Sequence, residues 1–127
     1  MPSLNPLAVI AGCAVDQGFT LAVSAALPAF FAHVLGADRA TATASVEFLL
    51  PLVTLAALGT VFGGAVAARF ARKDPLAHGL AVGGVSVALG LVAVLSSVSL
   101  PAPWGWLQLV AAPPAGLLGG LLGSPRS

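Results

Sequence analysis

Asp16 is the residue of this 127-residue chain best suited to chemistry. It stands inside an apolar stretch that begins at Leu7 and ends at Val34. An ionised carboxylate in such surroundings is costly, so it faces a bundle interior or water. Gly12, Asp16, Thr20 and Ser24 recur every four residues, which puts them on one gently drifting helical face, with Gln17 alongside. Two readings follow. Asp16, Gln17, Thr20 and Ser24 form an intramembrane polar site that holds a proton or a cation. Alternatively, Thr, Gln or backbone groups hold Asp16, and it fixes helix packing.

The remaining candidates carry less. His33 and His78 would suit a bis-imidazole haem, but they close and open different apolar segments on opposite sides, so both are expected to be interface histidines. Cys13 is the single cysteine, which excludes an intrachain disulfide and a multi-cysteine metal site. Ile10-Ala11-Gly12-Cys13 has the look of a lipobox. No basic residue precedes it, so Cys13 is expected to be a small residue of the first helix. Glu47 suits the first turn of a helix capped by Thr43 or Ser45. No catalytic motif, phosphate loop or nucleophile elbow is present, so no enzyme activity, cofactor or metal is expected. A net charge of +1 without a basic run excludes the footprint of a nucleic-acid binder.

Composition dictates the elements around these residues. Fifty-eight per cent of the chain is hydrophobic and 7% is charged. Ordinary soluble domains carry roughly 25% charged residues, so the solvent implied here is a bilayer. The charges and polar loops divide the chain into apolar segments at 7–34, 48–68, 76–98 and 104–123. Each exceeds or meets the length of about 20 residues that a helix needs to cross hydrocarbon. Continuous apolar runs, not period-two alternation, select helices over a barrel. The expected fold is therefore an all-α four-transmembrane-helix bundle, a single domain over 1–127. Connections fall at 36–45, 69–75 and 99–103. Arg69, Arg72 and Lys73 form a basic turn, which with Arg126 outweighs Arg39 on the other side. The positive-inside rule then gives an N-in/C-in orientation, with Trp104 and Trp106 at the outer interface.

Small residues supply the packing signal, since helices in lipid associate by close approach. Gly59 and Gly63, Gly79 and Gly83, and Gly116 and Gly120 are each four apart, one pair in each of the last three segments. Pro113-Pro114 is expected to kink or break the fourth. The run Gly59 to Gly63, followed by Arg69, lies over Gly116 to Gly120, followed by Arg126, as a parallel duplication of the two halves would.

Gly63-Gly64-Ala65-Val66-Ala67-Ala68-Arg69, then Pro75-Leu76-Ala77-His78-Gly79, resembles a pattern in small uncharacterised bacterial four-span membrane proteins. The resemblance implies a bacterial inner-membrane location and transfers no activity. Small multidrug exporters share the four-span layout with an acidic first span, but their aromatic signature is absent and the chain has no Tyr. The expected function is a non-enzymatic multi-pass protein of the cell membrane, its partners the lipid bilayer and a homo-oligomer or larger membrane complex. The alternative is a proton- or cation-coupled transporter or channel, formed as an oligomer around Asp16.

Overall fold

The computed structural model describes residues 3–36, 38, 43–96 and 100–126. Arg39, Thr41 and Ser99, which the loop assignments used, lie outside the described residues. Among those described there are four helices and no strand: α1 (Pro6–Leu35), α2 (Val46–Ala71), α3 (Pro75–Leu95) and α4 (Trp104–Gly123). All four are long and apolar enough to cross a membrane.

Local chemistry sets the helix ends. Asn5 Oδ1 accepts from the Leu7 and Ala8 N–H groups at 3.1 and 3.4 Å, and Pro6 takes the first helical position, where its missing N–H is harmless. Gly36 closes α1 with φ +59°, a conformation that suits glycine. Ser45 occupies the N-cap of α2, yet its side chain makes no capping bond; its main-chain carbonyl accepts from Phe48 and Leu49 N–H instead. Glu47 lies in the first turn, as an acid facing the helix dipole should.

The largest differences from the sequence reading are two helix ends and one expected break. Helix α2 continues through Ala71, so Arg69 belongs to its last turn and the basic connection shrinks to 72–74. Arg72 ends the helix at φ +58° with its N–H on Ala68 O, and Asp74 at φ +46° swings the chain into Pro75. Helix α3 ends at Leu95, where the Ser96 N–H returns to Val92 O at 2.9 Å; 97 and 98 lie outside the described residues. Helix α4 is not broken at Pro113-Pro114. An added Cβ on Gly83 would lie 2.8 Å from Ala112 O and 3.1 Å from Pro113 Cα, so α3 lies flush against the proline pair and supports it.

The helices form two antiparallel hairpins, α1–α2 and α3–α4, and α2 lies parallel to α4 between them. Two ends of the bundle need names. The turn end carries 72–74, the start of α1 and the end of α4; the loop end carries the end of α1, the start of α2, the end of α3 and the start of α4. Backbone meets backbone in the turn-end half. A Cβ on Gly63 would lie 2.5 Å from Gly12 O, one on Gly79 would collide with Gly116 O, and one on Gly119 with Val61 O. Gly59 faces Asp16 and Phe19 of α1, Gly83 faces Ala112, Gly116 faces Gly79 and Gly83, and Gly120 faces Pro75 and Leu76. The loop end is held differently. Phe48, Leu49 and Leu52 are buried there against Val23, Leu27, Phe31, Leu100 and Trp104. Phe31 and Phe48 meet edge to face at 5.5 Å.

Candidate functional site

Where the glycine-packed half gives way to the side-chain-packed half, the helices separate and enclose a cavity of about 250 Å³. Liquid water takes about 30 Å³ per molecule, so the space suits several waters or a small hydrated solute. Its floor includes Asp16, Thr60 and Ser86, and its lining reaches Leu100 and Gly105 at the loop end. Gln17 and Thr20 of α1 and Gln108 of α4 add polar groups to otherwise apolar walls.

Asp16 is only 2% exposed. It reaches this position because Gly12 lets α1 sit directly on Gly63, Ala67 and Val82 one turn earlier. Thr60 Oγ1 of α2 donates to Asp16 Oδ1 at 3.0 Å. Ser86 Oγ of α3 makes a short hydrogen bond to Asp16 Oδ2, and Gln17 Nε2 donates to the same oxygen at 3.3 Å. One carboxylate thus ties three helices together.

Each hydroxyl also has a second acceptor within its own helix. Thr60 Oγ1 lies 3.4 Å from Ala56 O, and Ser86 Oγ lies 3.1 Å from Val82 O. A hydroxyl has one proton to give and can also accept. With Asp16 ionised, both hydroxyls point inward. With Asp16 protonated, the acid donates to one hydroxyl oxygen, and that hydroxyl turns its own proton to the carbonyl one turn back. Either charge state leaves no polar group orphaned, which matters because an orphaned buried group costs about 1–3 kcal/mol. The arrangement can therefore load and unload a proton by rotating one hydroxyl. Every buried side-chain N or O among the described residues has a partner. No group of three His, Cys, Asp or Glu is placed among them to hold a metal.

Of the four-residue series, Gly12 and Asp16 are buried and Thr20 lines the cavity, but Ser24 is exposed and takes no part. Four residues is 40° more than one turn, so the drift over two steps carries Ser24 off the inward face. Thr60 and Ser86 were not recognised as partners of Asp16. Each is one small polar residue in an apolar segment, and only the pairing and register of the helices reveal them. Asp16, its two hydroxyl partners and the cavity lining all come from one chain.

The histidines also separate. His33 is exposed in the last turn of α1. His78 is fully buried between helices, near the start of α3. Its Nε2 accepts from the Asn5 N–H at 2.8 Å and its Nδ1 faces Asp74 O at 2.9 Å. Cys13 is half-buried inside α1. Trp106 is exposed near the start of α4, whereas Trp104 packs partly into the Phe48 cluster. At the turn end Arg69, Arg72 and Lys73 are all exposed. No protein-family model, curated protein or solved structure matches the chain.

Proposed function

We propose that this chain is a multi-pass membrane protein that takes up and releases a proton, or a small cation in its place, at Asp16, and couples that step to solute or ion movement through its cavity. It resides in the cell membrane, the bacterial inner membrane on the resemblance given above, with both termini in the cytoplasm and the cavity directed outward. It is not an enzyme in this reading and needs no cofactor. The observation that carries it is a buried carboxylate on a cavity wall whose two hydroxyl partners each have a second acceptor. An intramembrane ionisable residue beside a cavity is expensive, and proton relays and ion pathways are where such residues occur.

The test is flux in proteoliposomes under an imposed proton or alkali-cation gradient. Wild-type protein should move protons or cations, and Asp16→Asn should remain folded and move none. Absence of wild-type flux under every gradient, or equal flux by Asp16→Asn, would sink the reading.

A second reading, action by packing against another copy or a larger membrane complex, is favoured by one observation. Ala14, Gly18, Ala22 and Ala25 of α1 are all exposed, and nothing lies within 4 Å of a Cβ placed on Gly18. Small residues of this kind let another helix approach closely. The glycine pairs of α2, α3 and α4 support this reading less, because contacts within the chain occupy them.

A further inference from the structure

A second hollow lies at the turn end, away from Asp16. It is lined by Arg69 and Arg72 at the end of α2 and by Leu122, Gly123, Ser124, Pro125 and Arg126 at the end of α4. Its volume is about 610 Å³. Close packing builds it. A Cβ on Gly123 would fall 2.7 Å from Ala65 Cα, so the two parallel helices finish side by side. Arg69 follows Ala65 by one turn and Arg126 follows Gly123 by three residues, and the two arginines therefore meet across the same hollow.

The charge there is unbalanced. Among the described residues, none of the three guanidinium groups forms an ion pair. The neighbouring acid in sequence, Asp74, accepts instead from the Ser3 N–H at 3.3 Å. Two helix C-termini contribute about half a negative charge each, against the three full positive charges that line the hollow. Guanidinium forks match phosphate oxygens in pairs, as a lysine ammonium does not. The wall is also amphipathic. Leu122 lines the hollow and is 62% exposed, and Leu121 and Phe70 are exposed beside it on the same helix ends. A free phosphate has no use for such a surface, whereas a phospholipid with acyl chains does.

We propose that Arg69, Arg72 and Arg126 form a binding site for the phosphate of an anionic phospholipid, whose acyl chains lie against Leu122. Lys73 adjoins Arg72 in sequence but does not line the hollow, and takes no part.

Native mass spectrometry of the detergent-purified full chain tests this with three probes: phosphatidylglycerol, phosphatidylcholine and inorganic phosphate. Phosphatidylglycerol should be retained and phosphatidylcholine should not, and millimolar inorganic phosphate should fail to displace the lipid. Arg69→Gln and Arg126→Gln should each weaken retention about tenfold, the worth of one charge-assisted contact. Lys73→Gln should change it less than twofold. All of these side chains are exposed, so an unchanged melting temperature is expected and checks the fold. Three results overturn the proposal: equal retention of both lipids, equal weakening by Lys73→Gln and Arg126→Gln, or displacement by inorganic phosphate, which would mark a free-anion site.

Discussion

The Asn5 main-chain N–H donates to His78 Nε2 at 2.8 Å, joining the start of α1 to the start of α3 across most of the first three helices. Because Nε2 accepts, the ring proton sits on Nδ1, where Asp74 O lies 2.9 Å away. The neutral ring is thus a two-ended strut from α1 to the chain reversal at 72–74. Replacing it with Phe keeps a planar ring, adds some bulk and removes both bonds. His78→Phe should lower stability by about 1–3 kcal/mol, from the two lost hydrogen bonds and the bulkier ring in a closed site. It should also speed amide exchange at Asn5. Asn5→Ala should cost about 1 kcal/mol through the lost cap while keeping the main-chain bond to His78. Melting curves in detergent with exchange at the Asn5 amide read both. Unchanged exchange in His78→Phe would disprove the strut.

The glycines divide into two classes with opposite expectations. A Cβ on Gly79 would collide with Gly116 O, and one on Gly63 would reach 2.5 Å from Gly12 O. Backbone cannot yield as a side chain can, so Gly79→Ala and Gly63→Ala should each destabilise by about 1–3 kcal/mol. Gly18 and Gly84 have nothing within 4 Å. Gly84→Ala should be neutral, or stabilising by up to about 1 kcal/mol through helix propensity. Equal melting temperatures for all three variants would mean that backbones do not touch at Gly63 and Gly79.

Orientation is open to direct labelling. In a Cys13→Ala background, single cysteines at exposed Asp38 or Ala102 should react with an impermeant thiol reagent added outside intact cells. A cysteine at exposed Lys73 should react only after permeabilisation. The positive-inside asymmetry predicts this sign. Reversed labelling would turn the cavity toward the cytoplasm and reverse the direction of any coupled movement.

The four long apolar helices are legible in the sequence because hydropathy is a local property. Arg69, Arg72, Lys73 and Asp74 bracket two of them, and a lone carboxylate in an apolar run marks Asp16 without further help. Partnerships were not legible. Thr60 and Ser86 meet Asp16 because glycine contacts set how far α1, α2 and α3 slide past one another, and that register is a sum of many weak contacts. Arg126 belongs with Arg69 for the same reason: Gly123 on Ala65 aligns two helix ends that are far apart in sequence. The bond from Asn5 to His78 is equally hidden, because the position of His78 near a helix start says nothing of a residue that arrives from another helix.

The last prediction separates the carboxylate's structural role from its access to water. Asp16→Asn offers one acceptor and one donor group in place of two acceptors. Its oxygen can accept from Thr60 while its NH₂ donates to Ser86 Oγ, which then turns to Val82 O, 3.1 Å away. The amide variant should therefore melt within about 0.6 kcal/mol of wild type, the average worth of an interhelical polar contact in a membrane protein. Filling the cavity makes the complementary change. Ala57 and Ala93 line it, touch no partner of Asp16 by hydrogen bond, and have room in front of them. Ala57→Leu combined with Ala93→Leu should keep Asp16 bonded to Thr60 and Ser86 while shutting out solvent. The readout is the carboxyl infrared band, assigned by its loss in Asp16→Asn. In wild-type protein acidified until the protonated carboxyl band appears, transfer to D₂O should shift the band within the mixing time, because the cavity brings water to the carboxyl. In the filled variant the same band should persist with exchange slowed at least tenfold, and proton flux should fall with it. If filling the cavity slows neither exchange nor flux, protons reach Asp16 by another route and the cavity is only a packing void.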